Sequence, residues 1–108
     1  MYVYTATIGR NYVSTNFLTC QLTLTEWEQF IEDVEADMLR AVPSDIVEIH
    51  RGKGVWDGVE EESAKITLLR HSEATDDMLY ELRRYLSENA RHYGQDAFAL
   101  TIGESELC

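Results

Sequence analysis

Two segments with helical apolar spacing, each set between segments that alternate with a period of two, limit what this chain can fold into. The first helical segment begins where Thr25 stands three residues before Glu28, the spacing of a capping box, and Pro43 ends it. Trp27, Phe30, Ile31, Val34, Met38 and Ala41 recur along one face of it. The second takes Thr75 as its cap, carries Met78, Leu82, Tyr85, Leu86 and Tyr93 on one face, and stops at Gly94. Around these lie four strand-like stretches. Residues 2–8 place Tyr2, Tyr4, Ala6 and Ile8 on one side and Val3, Thr5 and Thr7 on the other. Residues 46–51, 64–69 and 97–102 supply the rest.

The order is strand, helix, strand, strand, helix, strand, which predicts an α+β, ferredoxin-like βαββαβ sandwich: a four-stranded antiparallel sheet with two helices on one face. Right-handed crossovers put the third strand between the first and second, and the first between the third and fourth. With 108 residues, the chain suits a single domain, residues 1–108. The uncovered sheet face favours a homodimer or higher homo-oligomer.

Between the second and third strands runs Arg51-Gly52-Lys53-Gly54-Val55-Trp56-Asp57-Gly58-Val59-Glu60-Glu61-Glu62-Ser63-Ala64-Lys65. Its glycines mark it as a long turn-rich hairpin connection. The polar, Thr-rich connection 12–23 carries no clear periodicity. In the predicted topology one end of the sheet gathers Arg10, Arg51, Lys53, Ser63, Lys65, Tyr93, Gln95 and Asp96, with Trp56 on the loop above them.

That convergence makes a candidate site for a small anionic, nucleotide-like ligand, formed by Arg10, Arg51, Lys53, Trp56, Ser63, Lys65 and Gln95. Cations would neutralise phosphate, Trp56 would stack, and Gln95 would hydrogen-bond. The competing reading is a solvated strand end, in which Glu60, Glu61 and Glu62 pair with Lys53, Lys65 and Arg51. On the first reading the protein is a non-enzymatic binder, for example one that sequesters a signalling nucleotide.

The charge argument points elsewhere as well. Twenty Asp and Glu residues against nine Lys and Arg give a net charge of −11, which opposes binding to duplex nucleic acid or an anionic membrane. The first helix alone bears Glu26, Glu28, Glu32, Asp33, Glu35 and Asp37. An acidic inhibitor docking Glu28, Glu32 and Glu35 on a basic host partner is therefore the second functional reading.

Catalytic and metal chemistry are less well served. His50, His71 and His92 are dispersed, with no nucleophile spaced to pair with them, and no cofactor or metal is expected. The element Gly52-Lys53-Gly54 lacks the length and helix context of a P-loop. Cys20 and Cys108 lack metal-ligand spacing and read as free thiols, and the chain opens on a strand without a secretion signal, as a cytoplasmic protein would.

At Tyr4-Thr5-Ala6-Thr7-Ile8-Gly9-Arg10, Thr25-Glu26-Trp27-Glu28-Gln29-Phe30, Arg51-Gly52-Lys53-Gly54-Val55-Trp56, Glu62-Ser63-Ala64-Lys65 and Tyr93-Gly94-Gln95-Asp96-Ala97 the chain resembles a family of short uncharacterised α+β proteins from bacteria and actinobacterial phages. The resemblance implies the same fold and an intracellular, phage-encoded protein, and brings no established activity with it. Arg10, Trp56, Lys65 and Gln95 are among the matching positions.

Overall fold

Tyr4, Ala6 and Ile8 are buried while Val3, Thr5 and Thr7 are only half-buried, so the alternation along the first strand directs one row of side chains into the core. The structure, a computed structural model, describes residues 1–104 apart from 15, 17, 57, 96 and 97; for Val13 and Trp56 it describes the backbone alone. The elements run β1 (Tyr2–Gly9), β2 (Asn11–Val13), β3 (Thr19–Gln21), α1 (Leu24–Ala41), β4 (Ile46–Trp56), β5 (Val59–Arg70), α2 (Asp76–His92) and β6 (Ala99–Glu104).

The main sheet has the order β4-β5-β1-β6, with every neighbouring pair antiparallel. It follows that β1 and β4 run parallel with β5 between them, and that β5 and β6 run parallel with β1 between them. In register, Tyr4 faces Leu68, Ala6 faces Ile66 and Ile8 faces Ala64. These six residues are all buried and form one face of the core. Against them lie Trp27, Phe30, Ile31, Val34 and Met38 of α1 and Leu82 and Leu86 of α2. Burying a large apolar side chain contributes about 1.5–3 kcal/mol, so this single layer is the main source of stability.

One polar contact orders the core from within. The Tyr4 hydroxyl accepts a 2.7 Å hydrogen bond from the Ala74 backbone N–H just ahead of α2, which satisfies both groups in a buried setting. On the opposite sheet face the hydroxyls of Thr5 and Thr67 are 3.0 Å apart across β1 and β5. Among the described residues, no helix is long and apolar enough to cross a membrane.

Four features differ from the sequence expectation. The N-cap of α1 is Thr23, not Thr25: Thr23 Oγ1 accepts from Glu26 N at 3.1 Å, and Glu26 Oε1 accepts from Thr23 N at 3.0 Å. Two Thr-x-x-Glu patterns overlap in this stretch, and the earlier one starts the helix at Leu24 and releases Glu28 for another partner.

Second, the glycine-rich stretch is mostly strand. Gly52 pairs with Ser63 and Gly54 with Glu61, and pairing runs on to Trp56 opposite Val59, with Gly58 at φ 78° ahead of the second strand of the ribbon. β1 leaves β5 at Gly9 opposite Ser63, so the ribbon extends as two strands beyond the sheet. Third, the connection 12–23 contains the small β2–β3 hairpin, where Tyr12 pairs with Cys20. Fourth, the last strand is displaced to Ala99–Glu104; of the residues expected in it, Ala97 lies outside the described residues, as does the expected free thiol of Cys108.

Candidate functional site

The residues expected to converge at one sheet end divide between the two sheet faces. Lys65 lies opposite Thr7 and His50, on the face away from the helices, and Ser63 lies opposite Gly9 and Gly52 on that same face. Arg51 lies opposite buried Ala64 and therefore points to the helix side, as Lys53 does two residues later. Trp56 stands at the end of the ribbon, opposite Val59. Asp96, which adjoined this cluster in the sequence reading, lies outside the described residues.

Most of the expected cations are already matched. Arg10 Nη1 pairs with Glu62 Oε2 at 2.9 Å while its Nε donates to the Leu22 carbonyl at 2.8 Å, and the Arg10 side chain is only 14% exposed. Arg51 grips Glu28 with two bonds, and Lys53 Nζ lies 3.3 Å from Glu60 Oε1. Glu61 turns inward: its Oε2 accepts from the Asn11 N–H at 2.8 Å, with the carboxylate lying where a Cβ on Gly9 would stand. Of these cations, Lys65 alone has no carboxylate partner among the described residues.

The carboxylates of α1 are similarly engaged. Glu26 caps the helix, Glu28 holds Arg51, Asp33 accepts from Gln29 Nε2 and Tyr93 Oη, and Asp37 accepts from Asn89 Nδ2 and lies beside Arg40. Glu32 and Glu35 are the two of the six with no partner among the described residues. Of the Glu28, Glu32 and Glu35 set, one member is thus occupied within the fold.

A cleft opens a short way from Arg10, where the end of α2 meets the β2–β3 hairpin. It is an open depression of about 280 Å³ lined by Tyr12, Leu22, Glu26, His92, Tyr93 and Gly94, of which Glu26, His92 and Gly94 are exposed. Its position follows from local rules. Gly94, at φ 71°, closes α2 with a Schellman turn: Gln95 N donates to Ala90 O at 2.7 Å and Gly94 N to Arg91 O at 3.2 Å. A side chain at 94 would come within 3.4 Å of the Tyr12 ring, so the turn and the hairpin are in close contact. Gln95 Nε2 then reaches the Asn11 carbonyl at 2.8 Å, and Leu22 N reaches the Arg10 carbonyl at 3.0 Å. Of the expected residues, Tyr93 lines this cleft, Gln95 braces it and Arg10 anchors its Leu22 wall.

Both tyrosines of the cleft are held in defined settings. The Tyr93 ring stacks on Phe30 at 4.5 Å between centroids and 20° between planes, and its hydroxyl donates to Asp33 Oδ2 at 2.6 Å. Burial first, then the bond to Asp33, raises the Tyr93 phenol far above the ordinary tyrosine range. The Tyr12 phenol is also raised, chiefly by the neighbouring Cys20 and to a lesser extent by burial and by Glu26. The Glu26 carboxyl is lowered by its bonds to Thr23. Two neutral phenols and an ionised carboxylate therefore share the cleft with the His92 imidazole.

The sequence does not assign Tyr12, Leu22, Glu26 and His92 to a common site. Strands of three residues are too short to show a period, and Glu26 read as a helix-face carboxylate. A tyrosine within a polar, Thr-rich connection was the available signal. The other two histidines do not line the cleft: His50 sits beside Glu48 at 3.1 Å and His71 is 4.0 Å from Asp45. No group of three or more His, Cys, Asp or Glu side chains able to hold a metal occurs among the described residues, and Cys20 is a free thiol.

No family model matches the chain, and no curated protein matches it. Among solved structures, a phage SAM lyase in its apo state superposes with a TM-score of 0.67 at 17% identity, covering 94% of this chain and 78% of that one. A phage SAM lyase in complex with S-methyl-5′-thioadenosine superposes with a TM-score of 0.64 at 15% identity, covering 95% and 80%. At such identities the likeness is one of fold, and it places this chain's α+β architecture beside that of phage proteins, one of them holding a nucleoside thioether.

Proposed function

We infer that this chain holds a small adenosyl ligand bearing sulfur at its 5′ position, in the cleft between the end of α2 and the β2–β3 hairpin. The observation that carries the reading is the fold shared over 94% of the chain with a phage SAM lyase, together with the S-methyl-5′-thioadenosine complex of the second neighbour. The cleft adds a place of suitable kind. Its volume of about 280 Å³ falls just below the range of ligand pockets, which run from ~300 Å³ upward, and it combines two tyrosines with a few polar groups. A nucleoside thioether or sulfonium also suits the charge better than a phosphate does, because Arg10, Arg51 and Lys53 already face carboxylates.

Several finer points follow. The order β4-β5-β1-β6 supports a ferredoxin-like sandwich with the β2–β3 hairpin inserted after β1. The likeness of fold to phage proteins supports a phage-encoded protein. The open sheet face, carrying half-buried Val3, Thr5, Thr67 and Leu69, supports a homo-oligomer.

Native mass spectrometry with S-methyl-5′-thioadenosine and with SAM tests the reading. A one-to-one adduct per chain that disappears in Tyr12→Ala is the expected result, and absence of an adduct with both ligands overturns it. Liquid chromatography of the same mixtures separates two modes of action: intact SAM marks a carrier, and released S-methyl-5′-thioadenosine marks a lyase.

A further inference from the structure

The charge around the cleft is lopsided. Glu26 Oε1 is committed to the Thr23 N–H, whereas Oε2 has no partner among the described residues. Asp33 stands behind Tyr93, on its hydroxyl. The carbonyl end of α2 closes the cleft at Tyr93 and Gly94, adding the negative pole of that helix. The positive pole of α1 lies opposite, and Glu26 in its first turn offsets it. The cations of the region do not restore the balance: Arg10 is bound to Glu62 and to the Leu22 carbonyl, and Arg91 is exposed in the last turn of α2. The aromatic walls act in the same direction, because the faces of tyrosine rings attract cations.

We propose that Glu26 makes this cleft selective for a positively charged head group, a sulfonium or an ammonium, over an uncharged or phosphorylated ligand of the same shape. The inference rests on the adenosyl reading above and narrows it from a nucleoside to a cationic nucleoside. The sulfonium lies between the Glu26 carboxylate and the ring of Tyr12, where the free Oε2 and the π-face act together. The phenols reinforce this by staying uncharged and so never competing for the cation. Glu26 itself remains ionised at neutral pH.

A matched pair of ligands isolates the charge. S-methyl-5′-thioadenosine is neutral; its S-methylated derivative, 5′-deoxy-5′-(dimethylsulfonio)adenosine, differs by one methyl group and one positive charge and lacks the amino acid portion of SAM. Titration calorimetry of both against the full chain and Glu26→Gln reads the selectivity directly. The variant keeps the helix start, because glutamine also completes a capping box. The expected result is tighter binding of the sulfonium by about fivefold, as for an exposed carboxylate acting with one cation–π contact. In Glu26→Gln the preference for the sulfonium over the thioether falls to about one. Equal binding of both ligands by the unaltered chain, or a preference that survives Glu26→Gln, overturns the role of Glu26 while leaving nucleoside binding intact. If neither nucleoside binds, the adenosyl reading fails, and trimethylsulfonium titrated by NMR decides the remainder: shifts at Tyr12 and Tyr93 that vanish in Glu26→Gln uphold the cation site, and none overturns it.

Discussion

The Arg51 guanidinium on β4 holds the Glu28 carboxylate on α1 through two parallel bonds, Nη1 to Oε1 at 2.5 Å and Nη2 to Oε2 at 2.6 Å. This pair ties the first crossover helix to the edge strand. It also cancels one cation of the expected anion site against one carboxylate of the expected acidic docking face. Arg51 and Glu28 are 50% and 43% exposed, so solvent screens them, and a double-mutant cycle of Arg51→Ala with Glu28→Ala should return a coupling of about 1 kcal/mol or less. Urea unfolding measures it. A coupling of several kcal/mol would mean that the pair fixes the placement of the helix.

Gly9 and Glu61 form a second linked pair. A Cβ on Gly9 would lie 2.5 Å from Glu61 Oε1, so Gly9→Ala must displace the carboxylate from the Asn11 N–H that it now accepts at 2.8 Å. The expected cost is about 1 kcal/mol, the scale of one hydrogen bond to a charged group or slightly less, which lowers the melting temperature by about 4–6 °C for a chain of this size. Glu61→Ala removes the same bond. The two changes should therefore be less than additive in thermal melts, and full additivity would show that Gly9 matters for some other contact.

The features legible in the sequence share a physical origin. Tyr4, Ala6 and Ile8 in β1, and Trp27, Phe30, Val34 and Met38 in α1, face one core, so burial imposes a period that can be counted along the chain. Two overlapping Thr-x-x-Glu patterns made the start of α1 ambiguous by two residues, because either threonine offers the same capping chemistry. The ribbon was hidden for a different reason. Gly52 and Gly54 are turn signals by composition, yet they pair with Ser63 and Glu61 inside a two-stranded extension that no core period marks. The cleft was least legible of all, since Tyr12, Glu26 and His92 come from three elements and meet only through the Gly94 turn and the Gln95 bond to Asn11.

Titration should separate the two ends of the pH range. The Glu26 carboxyl is lowered in the folded chain, so the unfolded chain binds the extra proton, and stability is present above the ordinary carboxylate value and is lost as the pH falls through the folded value. The Tyr93 phenol is raised, so the unfolded chain ionises first above about pH 10, and stability declines from there as the pH rises. Melting curves of Tyr93→Phe should show a flatter alkaline limb than those of the unaltered chain. The near-ultraviolet phenolate signal should also lose its last-titrating component. An unchanged alkaline limb would show that neither the burial of the Tyr93 phenol nor its bond to Asp33 is kept in solution.

Two sets of residues compete for the ligand, and alanine substitution separates them. In the cleft, Tyr12 supplies an aromatic wall braced by Gly94, and loss of a stacking ring costs about 1–3 kcal/mol per base, so about 1.4 kcal/mol, a tenfold weakening, lies well within that range. On the open sheet face, Lys65 stands opposite Thr7 and His50, separated by the sheet from the helix-side cleft. Titration of S-methyl-5′-thioadenosine should accordingly weaken about tenfold in Tyr12→Ala and change less than twofold in Lys65→Ala, with both variants keeping the far-ultraviolet spectrum of the folded chain. The reverse pattern, with Lys65 essential and Tyr12 dispensable, would move the site to the sheet face and restore an anionic ligand, because the cation without a carboxylate partner would then be the recognition group.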